Sequence, residues 1–559
     1  MSVSSSSFPR RDDFFDGLRN GDSSEWDVIV IGGGITGAGV LREASRRGYR
    51  CLLLEQQDYT WGTSSRSSKM IHGGLRYLAS GDWALTRDSL QERERLLDEV
   101  PGLVERIDYY LTLVRHQWPG RWAVWFLLTA YDILARINDR QFCSVAYLKA
   151  RFSGLDNDKL SGAYRYTDAM TDDSRLVLRL LQESIANGAS ALNYTQVKDL
   201  LIDNDEVRGV IVQDPKTDAL VTLRAASVVS ATGAWADRLR NRVNPETRIR
   251  PLRGSHLVIP AARIPISDVF TFFHPVDRRG VYVYPWEGST VIGTTDLDHT
   301  EDLDIEASIS QAEIDYLCAG YNSQFPSQPL TREDIISSWA GVRPVIGSER
   351  SKDPSKERRD HAIWSDKGLI TASGGKLTTF RLIAIDVLNA ASERLPSAPR
   401  IAEERFFDAP IISPETLLPN APARAQVLIG RYGQFAEAVL NISYPATRLN
   451  DDTPAALNEA IETAEDPRAL LATSTYSLVE CRWAARHEAV EHLDDLLLRR
   501  TRLGMVLPDA GAQLFPTLQR ICQQELGWDT ARWNAELQRY LSIYQRFYSL
   551  PEPRNDTSA

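Results

Sequence analysis

The sequence predicts an α/β protein in which a parallel, dinucleotide-binding sheet is combined with an inserted antiparallel-sheet domain and followed by a helical C-terminal domain. Three observations lead to this prediction. A β-branched apolar segment at residues 28–31 runs directly into a glycine-rich turn. Short segments with strand-like alternation fill residues 255–296. Helical patterns, notably residues 477–502 and 530–548, dominate the chain after about residue 401.

Residues 26–55 have the order strand, turn, helix, strand, acid, which is typical of a Rossmann-like dinucleotide-binding unit. Gly32 allows the tight turn, Gly34 lets the backbone approach a pyrophosphate, and Gly37 lets the helix pack close to the strand. We expect the pyrophosphate at the helix N-terminus and the ribose hydroxyls on Glu55. A glycine-rich turn in an unrelated α/β domain is the alternative.

Composition excludes several classes of function. A net charge of −11 leaves no basic excess for a phosphate backbone, so nucleic acid is not expected as the main partner. The five cysteines lack C-x-x-C spacing, and neither they nor the histidines form a metal-ligand cluster. Residues 1–25 lack the apolar core of a signal peptide, and we interpret them as a flexible N-terminal arm. No apolar window is long enough for a membrane span.

Three further segments carry the small residues that a bound cofactor requires. Residues 61–69 are rich in Ser, Thr and Gly, which suits packing against a flat isoalloxazine ring, although a solvated Ser-rich loop gives the same composition. Residues 227–235 form a short buried strand that ends in small residues, and Val197 is placed to offer its backbone to an adenine. Residues 369–380 read as strand, glycine turn and helix start.

Residues 118–137 carry aromatic and arginine side chains on both sides of an apolar centre. This pattern suits a helix lying in a membrane interface. A helix buried in the core or at a subunit contact has the same pattern, so both interpretations remain open.

One dinucleotide fingerprint occurs in the chain, whereas a reductase that takes electrons from NAD(P)H through a flavin usually has two. We therefore expect the organic substrate to meet the cofactor directly, with the antiparallel sheet as its platform.

Eight motifs, in this order and spacing, resemble the FAD-dependent glycerol-3-phosphate dehydrogenase family, the respiratory enzymes of glycerol catabolism. They are IGGGITGAGV, SSKMIHGGLRYL, DDSRLVL, ATGAW, RGSHLVIP, VIGTTD, GVRPVIG and SGGKLTTFR. The resemblance is close over about residues 26–381 and looser over residues 480–505. It implies oxidation of sn-glycerol 3-phosphate to dihydroxyacetone phosphate, with FAD passing electrons to membrane quinone.

The resemblance also implies a cytoplasmic protein that is peripherally attached to the inner face of the cytoplasmic membrane, and it allows a homodimer. The calcium-binding repeats of the mitochondrial relatives are missing, so calcium control is not expected. A flavin oxidase of the same fold, using oxygen and acting on glycerol 3-phosphate or an amino acid, is the main alternative. A redox-inactive FAD-binding protein is a second.

Site residues follow from the motifs that they match. His256 is the first choice for the base that takes the substrate's hydroxyl proton, while Arg343 is an alternative group at that hydroxyl and can stabilise a developing alkoxide. The candidate cations for the substrate phosphate are Arg76, Arg343 and Lys376, and Thr294 and Thr295 are expected to line the pocket. Taken singly, each of the three cations is more often a surface charge, the histidine a core residue, and the two threonines part of a strand end.

The residues expected at the cofactor are Gly32, Gly34, Gly37, Glu55, Thr63, Ser64, Lys69, Val197, Ala231, Gly233, Gly374, Gly375, Lys376, Leu377 and Thr378. The expected domains are an arm at 1–25, an FAD-binding domain at 26–110, 165–240 and 331–395, a substrate-binding domain at 111–164 and 241–330, a linker at 396–419, and a helical domain at 420–559.

Overall fold

The structure is a computed structural model that describes residues 7–347, 361–398, 404–442 and 468–552, apart from the side chain of Arg76. Its strands are β1 (Glu25–Ile31), β2 (Cys51–Leu54), β3 (Met70–Ile71), β4 (Val104–Val114), β5 (Gln141–Cys143), β6 (Leu160–Thr171), β7 (Ser190–Leu192), β8 (Val197–Asp203), β9 (Glu206–Gln213), β10 (Leu220–Ser230), β11 (Ile249–Pro260), β12 (Val269–Phe273), β13 (Gly280–Trp286), β14 (Ser289–Gly293), β15 (Leu297–Asp298), β16 (Ser337–Ile346), β17 (His361–Asp366) and β18 (Leu369–Gly374).

Its helices are α1 (Arg11–Arg19), α2 (Ile35–Arg46), α3 (Leu75–Ala79), α4 (Trp83–Glu99), α5 (Arg121–Ala135), α6 (Val145–Arg151), α7 (Asp173–Ala186), α8 (Ala236–Arg240), α9 (Gln311–Asn322), α10 (Phe380–Ala391), α11 (Pro414–Leu417), α12 (Pro422–Tyr432), α13 (Ala436–Leu440), α14 (Leu478–His487), α15 (Leu503–Val506), α16 (Phe515–Leu526) and α17 (Thr530–Phe547). In the part of the chain that the structure describes, none of these helices is long and apolar enough to cross a membrane.

The first sheet has the strand order β17-β18-β10-β1-β2-β7, with the β8–β9 hairpin attached to β10. Strand β1 pairs in parallel with both β2 and β10, and β10 pairs in parallel with β18. Helices α2 and α10 pack against each other beside this sheet. Because the carboxyl ends of parallel strands meet at one edge, the turns after β1, β10 and β18 converge there. The predicted hairpin at residues 197–212 is confirmed by β8 and β9.

The second sheet has the strand order β15-β11-β14-β13-β12-β4-β6-β3, with β16 on β11 and β5 on β6. The predicted antiparallel neighbours β11, β13 and β14 are confirmed. Strand β12 pairs with β13 antiparallel but with β4 in parallel, so the sheet is mixed. Strands β4, β6 and β16 carry residues that were assigned to the cofactor domain, and β16 pairs with β11 from Ile249↔Ile346 to Val258↔Ser337. The predicted boundaries are therefore wrong at these strands, because backbone pairing draws them into the second sheet.

The described part of the N-terminal arm contains helix α1, where the sequence was expected to form a flexible segment without secondary structure. Helix α1 buries Phe15 at 1% exposure and places Phe14 against Trp26, with ring centroids 6.3 Å apart. Apolar burial on β1 therefore fixes the helix. Residues 1–6 of the predicted arm lie outside the described residues.

The helix expected over residues 477–502 is shorter in the structure. Helix α14 ends at His487, and Ala489 has a φ of +48°, which an α-helix does not accommodate. A buried π-helical turn, Asp495–Arg500, follows, and the Asp495 carboxylate accepts hydrogen bonds from the backbone N–H groups of Glu491 and His492. The second predicted helix, 530–548, is confirmed by α17.

Buried ion pairs join this helical region to the first sheet. Arg500 contacts Asp58, just after β2, at 2.6 Å, and Arg502 contacts Asp172, at the start of α7, at 2.9 Å. All four side chains are 2% exposed or less. Arg500 and Arg499 lower the pKa of Asp58 to about 2, against the opposing effect of burial. The helical region is thus anchored to the segment after β2 and to the start of α7.

Candidate active site

A cleft of about 360 Å³ lies at the carboxyl ends of β1, β10 and β18, and we call it the dinucleotide cleft. Its floor is shaped by glycines. A Cβ on Gly32, whose φ is +111°, would lie 2.6 Å from the carbonyl oxygen of Ala231, and a Cβ on Gly34 would lie 3.0 Å from Oγ of Ser64. A Cβ on Gly37 would clash with the carbonyl oxygen of Gly32. The turn is therefore a cradle that side chains would fill, as a bound pyrophosphate requires.

Most residues predicted at the cofactor do line this cleft. They are Gly32, Gly34, Glu55, Thr63, Ser64, Val197, Ala231, Gly233, Gly374, Gly375, Lys376 and Leu377. Gly37 lies behind the cleft, where it lets α2 approach β1. These residues lie at the carboxyl ends of β1, β2, β10 and β18, with Val197 at the start of β8, and the sheet topology brings them together.

The carboxylate of Glu55 accepts hydrogen bonds from the backbone of the glycine turn and of the segment after β2. One carboxylate oxygen accepts a hydrogen bond from the backbone N–H of Gly33 at 2.7 Å, and the other accepts one from Gln57 at 2.8 Å. Burial raises the pKa of Glu55, and these two hydrogen bonds oppose that rise. The carboxylate thus orients the glycine turn, and its role toward ribose hydroxyls stays a prediction.

Two predicted cofactor residues lie elsewhere. The Lys69 ammonium is fully buried, 2.8 Å from the Asp173 carboxylate and 2.6 Å from the carbonyl oxygen of Ser65. Burial lowers the pKa of Lys69 to about 8. Lys69 was predicted at the cofactor, but it lies outside the lining of the dinucleotide cleft and holds the loop at residues 65–69 from its buried side. Thr378 lines a neighbouring cavity, where its hydroxyl accepts a hydrogen bond from the backbone N–H of His72.

That neighbouring cavity has a volume of about 610 Å³ and lies between the two sheets, and we call it the cationic cavity. Its charged lining residues are Arg66, Arg278, Arg279, Arg343 and Lys376, together with Asp168, Asp277 and Asp296. Thr63, Ser67, Pro344, Gly375, Lys376 and Leu377 line both this cavity and the dinucleotide cleft. A ligand in the cationic cavity therefore shares a wall with a bound dinucleotide.

Arg343 and Lys376 are fixed from different directions. The Arg343 guanidinium lies 3.2 Å from Asp296 and donates to Oγ1 of Thr294 at 3.1 Å. The Lys376 ammonium donates to Oγ of Ser89 at 3.0 Å and lies 3.7 Å from the ring centroid of Tyr77. These contacts orient two cations in one cavity, which suits a dianionic phosphate.

Thr294 and Thr295 are adjacent but differ in position. Thr294 lines the cationic cavity, as expected. Thr295 is 4% exposed, accepts from the backbone N–H of Ser255 and donates to Glu313. The expectation that Thr295 lines the pocket is therefore wrong, because neighbouring residues at a strand end face opposite sides. The side chain of Arg76, the third candidate cation, lies outside the described residues.

His256 lies behind the wall of the cationic cavity. It is 1% exposed, stacks on Trp339 with ring centroids 4.8 Å apart, and its Nε2 lies 2.9 Å from the hydroxyl of Ser68, which lines the cavity. Burial, with Arg343 and Lys69 nearby, holds the pKa of His256 well below its usual value. His256 is therefore neutral and reaches the cavity through Ser68.

Several lining residues were missed from the sequence. His72 lines the cationic cavity and belongs to the quoted HGGLRY motif, so motif position was a usable signal. Trp61 opens the predicted cofactor segment 61–69 and Trp235 ends the quoted ATGAW motif, so position was a usable signal for both residues of the dinucleotide cleft. Arg279, on the turn before β13, had no comparable signal. Within residues 7–347, 361–398, 404–442 and 468–552, no group of His, Cys, Asp and Glu is arranged to hold a metal ion.

The glycine cradle defines a dinucleotide-binding protein, and the cationic cavity shares a wall with the cradle. The family model for FAD dependent oxidoreductases matches residues 27–381, and the model for the C-terminal domain of alpha-glycerophosphate oxidase matches residues 412–533.

Similar proteins of known name and a similar solved structure point to one family within the FAD dependent oxidoreductases. Glycerol-3-phosphate dehydrogenase 2 of Mycobacterium bovis is 33% identical over 544 residues, covering 93% of this chain and 88% of the relative. Aerobic glycerol-3-phosphate dehydrogenase of Staphylococcus haemolyticus is 35% identical over 384 residues, covering 67% and 69%. The structure of the Bacillus halodurans glycerol-3-phosphate dehydrogenase complexed with FAD superimposes with a TM-score of 0.73 at 26% identity, covering 95% of this chain and 98% of that one. The chain belongs to the FAD-dependent glycerol-3-phosphate dehydrogenase family, which confirms the predicted family, fold class and cofactor.

Proposed function

We propose that the protein oxidises sn-glycerol 3-phosphate to dihydroxyacetone phosphate and passes the electrons through FAD to membrane quinone. The observation that carries this proposal is the wall shared by the dinucleotide cleft and the cationic cavity. Gly375 and Lys376 belong to this wall and line both spaces. A substrate held in the cationic cavity can therefore present a carbon atom to the cofactor without crossing protein.

The phosphate of the substrate is bound by cations of the cationic cavity. Arg343 and Lys376 supply charge from fixed positions, and each charge-assisted hydrogen bond contributes about 1.5–3 kcal/mol. Free glycerol lacks the dianion that these groups would neutralise. Phosphorylated glycerol is therefore favoured over glycerol.

Oxidation breaks the C2–H and hydroxyl O–H bonds, so a group of the protein must accept the proton that leaves the substrate oxygen. The dinucleotide cleft would hold FAD, which would supply the acceptor for the hydride and the means of passing two electrons on. The Ser68 hydroxyl, 2.9 Å from Nε2 of His256, provides a path for the proton from the cavity to a neutral imidazole. His72, which lines the cavity directly, is the second candidate acceptor. If Arg343 faces the substrate hydroxyl instead of the phosphate, its charge stabilises negative charge on that oxygen as the proton leaves.

Quinone as electron acceptor requires contact with a bilayer, and α5 with the loop before it offers an apolar surface for this contact. Trp118, Trp122, Phe126 and Ile133 are 64–80% exposed, and Leu127 of the same helix lines the cationic cavity. Exposed aromatic side chains of this kind insert at membrane interfaces. This part of the proposal places the protein as a peripheral protein at the inner face of the cytoplasmic membrane, attached through α5 and the loop before it.

An oxygen-using oxidase is the second candidate function, because residues 412–533 match a domain named for alpha-glycerophosphate oxidase. The experiment that separates the two reduces the purified protein with sn-glycerol 3-phosphate without air, then adds either oxygen or a short-chain quinone. Faster reoxidation by the quinone, with little peroxide, is expected. Faster reoxidation by oxygen, with one peroxide per turnover, would favour the oxidase.

A further inference from the structure

An acidic segment beside the second sheet makes direct contacts with the dinucleotide cleft. Residues 302–306, which we call the acidic strap, lie between β15 and α9. Asp304 accepts a hydrogen bond from the indole N–H of Trp235 at 3.0 Å, and Glu306 accepts one from the indole N–H of Trp61 at 2.9 Å. Both tryptophans line the cleft. One short segment therefore holds two aromatic side chains of the cofactor site.

Each carboxylate of the acidic strap is also paired with an arginine. Glu306 lies 2.8 Å from Arg66, and the two side chains are 7% and 6% exposed. Asp304 lies 2.7 Å from Arg238, where both side chains are about half exposed. Buried charge pairs are screened less than exposed ones. The Glu306 contact is therefore the stronger of the two anchors.

The two tryptophans form a continuous aromatic wall, which we call the indole pair. Their ring centroids are 5.9 Å apart at an interplanar angle of 45°. A Cβ on Gly62 would lie 3.3 Å from the Trp235 ring, so the backbone next to Trp61 passes close to that ring. The guanidinium of Arg66 lies 5.4 Å from the Trp61 ring centroid and supports it from outside the cleft.

We propose that the acidic strap positions the indole pair against an aromatic ring of FAD and thereby slows release of the cofactor. Flat rings pack well on indole, and an indole N–H that is held by an acceptor keeps its ring in one orientation. Trp61 follows β2, Trp235 follows β10, and the acidic strap comes from beside the other sheet. The strap thus connects the two segments that carry Trp61 and Trp235. The inference uses FAD as the cofactor and is independent of the proposed substrate and electron acceptor.

The test measures the rate of FAD release, followed as the rise of flavin fluorescence after dilution of the holoprotein. Trp61→Phe removes the indole N–H but keeps a ring, and Glu306→Gln removes the charge that pairs with Arg66. We expect each to speed release by about tenfold or more, the factor that corresponds to loss of a charge-assisted hydrogen bond. The more exposed Asp304→Asn should have a smaller effect in the same direction.

Glu301→Gln is the matched control, because Glu301 precedes the strap and pairs with Arg253 at 3.7 Å. Its release rate should equal that of the parent protein. Thermal unfolding of each apoprotein reports on stability separately from cofactor release. Release rates within twofold of the parent for both Trp61→Phe and Glu306→Gln would overturn the proposal. If Glu306→Gln does not fold, Trp61→Phe and Asp304→Asn decide the question.

Discussion

The hydroxyl of Ser68 lies 2.9 Å from Nε2 of His256, and it lies between that buried imidazole and the cationic cavity. His256 is 1% exposed, and its Nδ1 has no hydrogen-bond partner among the described residues. Among the described residues, His256 thus makes its side-chain hydrogen bond to Ser68. The imidazole therefore depends on Ser68 for access to a substrate proton.

This relationship predicts that Ser68 and His256 act together. Ser68→Ala should lower kcat for sn-glycerol 3-phosphate by about tenfold or more, within the range of general acid–base effects, with a smaller change in KM. The double variant Ser68→Ala/His256→Asn should be no slower than His256→Asn alone, because both changes interrupt one path. Ser80→Ala, at an exposed hydroxyl, is the control. Fully additive losses in the double variant would show that the two residues act separately.

The lowered pKa of His256 also predicts how stability depends on pH. Below about pH 6.5 an unfolded histidine takes up a proton, whereas the folded protein keeps His256 neutral until much lower pH. Stability is therefore lost as pH falls, by about 1.4 kcal/mol per pH unit for this group, and is unaffected by it above pH 6.5. The measurement is urea unfolding of the parent and of His256→Asn at pH 7.5 and at pH 5.5. Between these two pH values, the unfolding free energy of the parent should fall by about 1.4 kcal/mol more than that of the variant. Equal drops would contradict this.

Arg343 should determine preference for a phosphorylated substrate. Arg343→Gln removes a charge-assisted contact, so kcat/KM for sn-glycerol 3-phosphate should fall about 10- to 150-fold, which corresponds to about 1.5–3 kcal/mol. The slow rate with glycerol should change much less. Arg208→Gln, at an exposed arginine on β9 that pairs with Glu206, is the control. Equal losses for both substrates would assign Arg343 to the hydroxyl rather than to the phosphate.

The exposed aromatic residues of α5 should control membrane attachment. Trp122→Ser and Phe126→Ser together remove two exposed rings, and the bound fraction in flotation with vesicles of mixed zwitterionic and anionic lipid should fall at least about fivefold. Leu220→Ser, at a similarly exposed apolar residue on β10, should bind like the parent. Unchanged flotation of the double variant would exclude α5 as the attachment surface.

The parts of the site that could be predicted from sequence are those set by local geometry. The roles of Gly32 and Gly37 follow from spacing within one strand–turn–helix unit, and the structure places each glycine where that unit requires it. Ala231 and Gly375 line the same cleft because each follows directly after a strand of the parallel sheet.

The parts that could not be predicted depend on contacts between distant segments. Lys69 and Thr295 sit in the correct motifs, yet each faces the interior, because strand register decides which neighbour points to the cavity. The placement of β16 in the second sheet rests on its pairing with β11, about ninety residues earlier in the chain. The contact of Trp61 with Glu306 spans 245 residues and has no local signal.

The most direct test of the central claim mixes the purified yellow protein with sn-glycerol 3-phosphate in the absence of air and follows flavin absorbance. Glycerol and D- and L-amino acids serve as controls, and substrate deuterated at C2 reports on cleavage of the C2–H bond. The proposed function predicts rapid bleaching by sn-glycerol 3-phosphate alone, slowed by deuterium at C2. No bleaching by sn-glycerol 3-phosphate, or bleaching by an amino acid instead, would contradict it.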